Sequence, residues 1–324
     1  MSDIFTLQDD IATAIAGALR VKLSPETIPK RYEPKLAAYE AYLKAKYLQA
    51  KATPESLELA KQCHERAIKL DPAFALARVE VGFYWVAKAM FLGYSVREAF
   101  PAARATAERA LQIDPSLPDA HALLGYLTAI IDRDWAQAER HFAFPGARLV
   151  GTSITRPLYA WFQYLRGNVA DAIALAQRAI EEDPLDVWSR MNLHAYLQAA
   201  DREGEALEQL RKVLELDPNQ AVALVSMAMI LADQGNLQEA LATARRAHAV
   251  GPWLTETTSV LAALLLRNGE DAEAQSIAKT LGTGQPFGDA RAQALYHLLC
   301  GDIDTGADWA EKAIDGHDLA MGNV

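Results

Sequence analysis

The sequence predicts an all-α protein, an α-solenoid of about seven to eight helix–turn–helix repeats with an extra N-terminal helix. Three observations carry this. A heptapeptide recurs: RAIKLDP at 66–72, RALQIDP at 109–115, RAIEEDP at 178–184, KVLELDP at 212–218 and RAHAVGP at 246–252. The recurrence is periodic, because Pro184, Pro218 and Pro252 lie 34 residues apart and another 34 reaches Pro286. Pro115 to Pro184 is 69 residues, two periods plus one, and Pro72 to Pro115 is 43, one period plus nine. Small residues also keep a fixed place in the period. With the proline as position 32, one inserted residue allowed in the third repeat and the last repeat aligned on its second helix, position 20 falls on Ala60, Ala103, Ala138, Ala172, Ala206, Ala240, Ala274 and Gly306.

Each element follows from local chemistry. Residues 4–23 read as an amphipathic helix, with Ile4, Leu7, Ile11, Ile15 and Leu19 at helical spacing and Ser2 or Asp3 as its cap. Pro25, Pro29 and Pro34 mark a linker, so residues 1–35 form an N-terminal unit ahead of a solenoid over 36–324. The repeats are expected at about 36–72, 73–115, 116–150, 151–184, 185–218, 219–252, 253–286 and 287–318. The recurring heptapeptide is a helix ending: an amphipathic stretch, then Asp, then a Pro that cannot continue the helix. Position 20 must be small where the second helix of a repeat crosses the first. Positions 27 and 8 are small in most repeats, as at Ala67, Ala110, Gly82 and Gly125. Gly167, Gly235, Gly269 and Gly301 are placed to end first helices. The second repeat carries about nine extra residues near MFLGYSVREAF, which lengthen its helices or its turn. Pro145-Gly146 should break the second helix of the third repeat. The array is expected to be more regular from residue 185 onward.

Composition narrows the function. The chain is 324 residues long and 51% hydrophobic, with a mean hydropathy of -0.04, as expected of a folded protein. No apolar run is long enough for a membrane span. MSDIFTLQDD places acids where a secretory leader needs positive charge. A net charge of -10 argues against nucleic acid as the partner. Cys63 and Cys300 fall in the first and last repeats, too far apart to bridge, so two reduced thiols and a cytoplasmic location are expected.

No catalytic constellation emerges, and no cofactor or metal is expected. GTGQPFG at 282–288 lacks the dinucleotide-binding spacing and follows a helix, so an inter-repeat loop accounts for it. His297 and Cys300 share a helix face, but two ligands are too few for a metal.

The period and the small positions resemble those of the tetratricopeptide repeat (TPR) family over residues 36–317. A narrower resemblance rests on DIFTLQDDIATAIAGAL at 3–19, AYEAYLKAKYL at 38–48, ALQIDPSLPDAHALLGY at 110–126 and DRDWAQAERHF at 132–142. These are similar to the region that follows a TolB-like domain in bacterial class III adenylate cyclases and winged-helix regulators. That resemblance implies a catalytic or DNA-binding domain upstream, and a regulatory role for this piece. The TPR resemblance implies a right-handed superhelix whose first helices line a concave groove.

On each first helix, positions 2, 5, 9 and 12 share one face. They place Phe83, Tyr126, Trp161, Tyr164, Trp188, Met191, Val225 and Met229 along the groove as an apolar, aromatic binding stripe. The Lys and Asn pattern that clamps a C-terminal carboxylate in some TPR proteins is absent, with only Lys46 at position 9. The expected function is therefore a non-catalytic scaffold that binds a protein or peptide segment. The alternatives are the regulatory fragment of an adenylate cyclase and a module for homo-oligomerisation. The N-terminal helix is expected either to pack on the first repeat or to fill the groove.

Overall fold

Helices follow one another in pairs throughout the computed structural model, which describes residues 32–51, 53–92, 94–144, 155–282 and 289–315. The expected helix over 4–23, its linker and most of GTGQPFG lie outside these residues. Among the described residues there are no strands, and the elements form eight hairpins. The first repeat is α1 (Leu36–Gln49) and α2 (Pro54–Leu70), and the second is α3 (Ala75–Phe91) and α4 (Val96–Ile113). The third is α5 (Pro118–Leu127), a π-helical turn Thr128–Asp132, and α6 (Trp135–Phe142). The fourth is α7 (Thr155–Leu165) and α8 (Val169–Glu182), and the fifth α9 (Val187–Ala199) and α10 (Glu203–Leu216). Then come α11 (Ala221–Asp233) with α12 (Leu237–Val250), and α13 (Thr255–Arg267) with α14 (Asp271–Ala278). The last pair is α15 (Asp289–Leu299) and α16 (Ile303–Asp315).

The heptapeptide ends second helices as its chemistry dictates. Asp71, Asp114, Asp183 and Asp217 leave the helix with ψ of 91, 94, 91 and 96°, the extended backbone that a residue before proline must adopt. Each carboxylate then accepts a hydrogen bond from the N–H two residues on, at 2.9–3.3 Å, which shapes the turn into the next repeat. Six residues past the proline, Arg78, His121 and Arg190 reach back to the carbonyls of Pro72, Pro115 and Pro184 at 2.8–3.1 Å.

From the third repeat on, first helices end in a left-handed residue. Gly167, Gly235, Gly269 and Gly301 have φ of 81–83°, and the following N–H closes onto the carbonyl five residues back, as Asn168 does onto Gln163 at 2.9 Å. In the third and fifth repeats Arg133 and Asp201 fill this place with φ of 52 and 56°.

The irregularities in spacing have physical counterparts. The single extra residue of the third repeat is absorbed by the π-helical turn after α5. The nine extra residues of the second repeat lengthen both helices, since α3 has 17 residues against 13 in α9, and α4 has 18 against 14 in α10. Helix α6 has eight residues and stops at Phe142, ahead of Pro145. Regularity from residue 185 onward extends only through α12. Helix α14 has eight residues and gives way to a 3-10 turn, Lys279–Leu281, where Leu281 stands at position 27, which is small in most repeats.

Every position-20 residue is buried, from Ala60 to Gly306. A Cβ on Gly306 would stand 2.7 Å from the Leu298 side chain, and one on Gly82 2.6 Å from both Leu123 and Thr106. These are the close helix crossings that the pattern requires. The core is a series of clusters, each shared between neighbouring repeats. Burial is thus local and additive along the array.

Candidate functional site: the surface of the first helices

Five of the seven successive pairs of first helices pack on one another, α3 on α5, α5 on α7, α7 on α9, α11 on α13 and α13 on α15, whereas successive second helices barely touch. First helices therefore lie on the inner side of the curve. Side chains at positions 2, 5, 9 and 12 crowd there, and crowding decides which remain accessible.

The expected continuous stripe is broken. Tyr126 is 3% exposed, its ring 5.0 Å from that of Trp161 and its hydroxyl directed at Met90 Sδ. Met191 and Val225 are also buried, so these three present little to a ligand. The reason is the curvature. Large side chains at positions 5 and 9 fill the seams between repeats, as Met191, Val225 and Tyr126 do. Phe83 and Trp161 are half-buried against the same core, and the Tyr164 ring lies tilted 5.0 Å from that of Tyr196. Met229 is half-buried among α11 neighbours. Trp188 differs: it is 41% exposed. Of the expected stripe, Phe83, Trp161, Tyr164 and Met229 stay half-buried and Trp188 is the most exposed, so its accessible part lies mostly on α7, α9 and α11. Asn192, Ser226 and Gln198 on α9 and α11 are its uncharged polar neighbours in sequence.

Two charge pairs stand near the ends of this surface. At the N-terminal end Glu80 is fully buried and accepts from Lys46 Nζ at 2.9 Å, Gln49 at 3.1 Å and Tyr42 at 3.4 Å. Burial and then Glu80 push the Tyr42 phenol far above its ordinary range. His64, buried beside Tyr42, has neither ring nitrogen bonded, and burial lowers its pKa to about 4. At the other end Arg291 on α15 meets Glu256 on α13 at 2.5 Å. Lys46 is thereby committed to Glu80.

Sequence reasoning passed over Glu80 and Arg291. The signal for Glu80 was present, since it lies 34 residues, one period, after Lys46, and one period separates neighbours on adjacent first helices. Among the described residues no group of His, Cys, Asp and Glu is placed to hold a metal. His297 pairs instead with Asp302 at 3.1 Å. No described helix is long and apolar enough to cross a membrane.

No family model matches this chain. Among curated proteins it is 30% identical over 115 residues to the probable UDP-N-acetylglucosamine–peptide N-acetylglucosaminyltransferase SPINDLY of Hordeum vulgare. That match covers 36% of this chain and 12% of the barley protein. Among solved structures it resembles PilF of Pseudomonas aeruginosa, with a TM-score of 0.52 and 19% identity over 72% of this chain and 98% of that one. Yeast Tom70 gives a TM-score of 0.52 at 14% identity, over 98% of this chain and 72% of that one. Human IFIT1, solved as a dimer with m7Gppp-AAAA, gives 0.60 at 14%, over 94% and 76%. Paired helices with this period and these neighbours are a TPR-like helical solenoid.

Proposed function

We propose that this chain is a non-catalytic interaction scaffold that holds an uncharged, apolar protein segment against α7, α9 and α11. The observation that carries this is Trp188, 41% exposed on a face whose positions 2, 5, 9 and 12 on α7, α9 and α11 carry no charged side chain. An apolar segment buries an aromatic anchor there, whereas a charged one gains no counter-charge from those positions. The resemblance of its motifs to the region after TolB-like domains supports a finer reading: the chain is the interaction part of a bacterial signalling protein whose cyclase or DNA-binding domain lies upstream.

Selection of random peptides on the pure chain tests the binding reading. Aromatic, uncharged sequences should be enriched, and Trp188→Ala should weaken them about tenfold or more. Enrichment of acidic or basic peptides, or binding indifferent to Trp188→Ala, would refute it.

A second apolar surface favours a role for the N-terminal segment. Leu36, Leu43 and Tyr47 share one face of α1 and are 64, 49 and 65% exposed at the open end of the array. In this reading the amphipathic segment 4–19 covers that face and leaves the groove free.

A further inference from the structure

Away from the first-helix surface, a cleft of about 600 Å³ opens where α2, α3 and α4 meet. Lys69, Arg78 and Arg109 line it, together with Glu65 and the apolar Ile68 and Val81. Glu65 is already held by Lys61 at 2.9 Å on its own helix. Among the described residues none of the three cations makes an ion pair. Arg109 bonds only the neutral Gln112, at 2.5 Å, and Arg78 bonds the Pro72 carbonyl at 3.1 Å while its Nε is shut away from solvent without a partner. Burial, and then the neighbouring Arg109, bring the Arg78 pKa down, so the cleft works against its own charge. Three unneutralised cations converge here in a protein of net charge -10.

We propose that this cleft binds a small organic phosphate monoester. Two guanidinium groups and an ammonium suit a dianionic oxyanion, which takes paired N–H donors better than a single carboxylate does. Ile68 and Val81 supply apolar wall for the carbon skeleton, and the volume is that of a small-molecule site. Nothing on the groove side takes part, so the site is independent of segment binding.

Calorimetric titration of the full chain with phenyl phosphate tests this, at constant ionic strength set with chloride. Inorganic phosphate and benzoate serve as separate arms. Saturable binding of phenyl phosphate with one site per chain is expected, tighter than either simpler anion. Arg109→Gln and Lys69→Gln change exposed side chains and should keep the helical circular dichroism, while each weakens phenyl phosphate about tenfold. Absence of saturation would overturn the proposal, as would benzoate binding equally well or affinity unchanged in both variants.

Discussion

Removing the Lys46 ammonium should loosen the first two repeats and leave the rest of the array intact. In Lys46→Met the aliphatic stem remains, but Glu80, with 1% of its side chain accessible, loses its 2.9 Å partner. Gln49 and Tyr42 stay as neutral donors to the carboxylate. Stripping one partner from a fully buried pair costs about 3–5 kcal/mol. Lys46 is 30% exposed, so water can approach the vacated place, and the cost falls to roughly 2 kcal/mol. In a solenoid, where each repeat touches only its neighbours, this loss stays local. Native-state hydrogen exchange is the assay. Amides of α1 and α3 should exchange about thirtyfold faster, at roughly 1.4 kcal/mol per tenfold, while α9 to α12 keep their rates. Lys46→Met combined with Glu80→Leu removes both charges and should recover most of the protection. Wild-type protection in the single variant, or faster exchange spread evenly over all repeats, would refute the reasoning.

The fold was legible because it is written several times. Each Asp-Pro ending is a local instruction, a backbone forced extended and a carboxylate that closes the turn. The small residues at position 20 report a contact that recurs in every hairpin. Even the count of one surplus residue before Ala138 was meaningful, although the period alone could not show that a π-helical turn would absorb it. The binding surface was less legible. Period and phase put Tyr126, Met191 and Val225 on the correct face of their helices. Accessibility depends on how far one repeat is rotated against the next, a quantity that no single repeat encodes. Tyr126 therefore fills a seam, whereas Trp188 stays open. The basic cleft lies on three helices of two repeats, and no linear spacing announces it.

Acid should weaken the fold through two histidines, and the open end of the array should respond to its N-terminal segment. In the folded chain burial holds His64 and His194 at about 4, against about 6.5 in the unfolded chain. Between these values the unfolded state binds the proton and the folded state does not. Stability is therefore level above about 6.5 and falls as pH drops toward 4, by up to roughly 3 kcal/mol for each histidine. Urea midpoints from pH 7 to 4 should decline, and His64→Leu should remove part of the slope; an unchanged slope would place the loss elsewhere. The last test concerns residues 1–24. If segment 4–19 covers Leu36, Leu43 and Tyr47, its deletion returns three large apolar side chains to water at the first hairpin. Among the described residues that hairpin has a neighbour on one side only, so it has little stability to lose. The deletion should lower the melting temperature of the first repeats by several degrees and speed exchange in α1, and Leu43→Ser in the full chain should reproduce part of both effects. If the segment lies instead against α7 and α9, α1 is untouched, and deletion raises binding of an apolar dye in a way that Trp188→Ala reverses. Unchanged α1 exchange on deletion would therefore remove the segment from the open end.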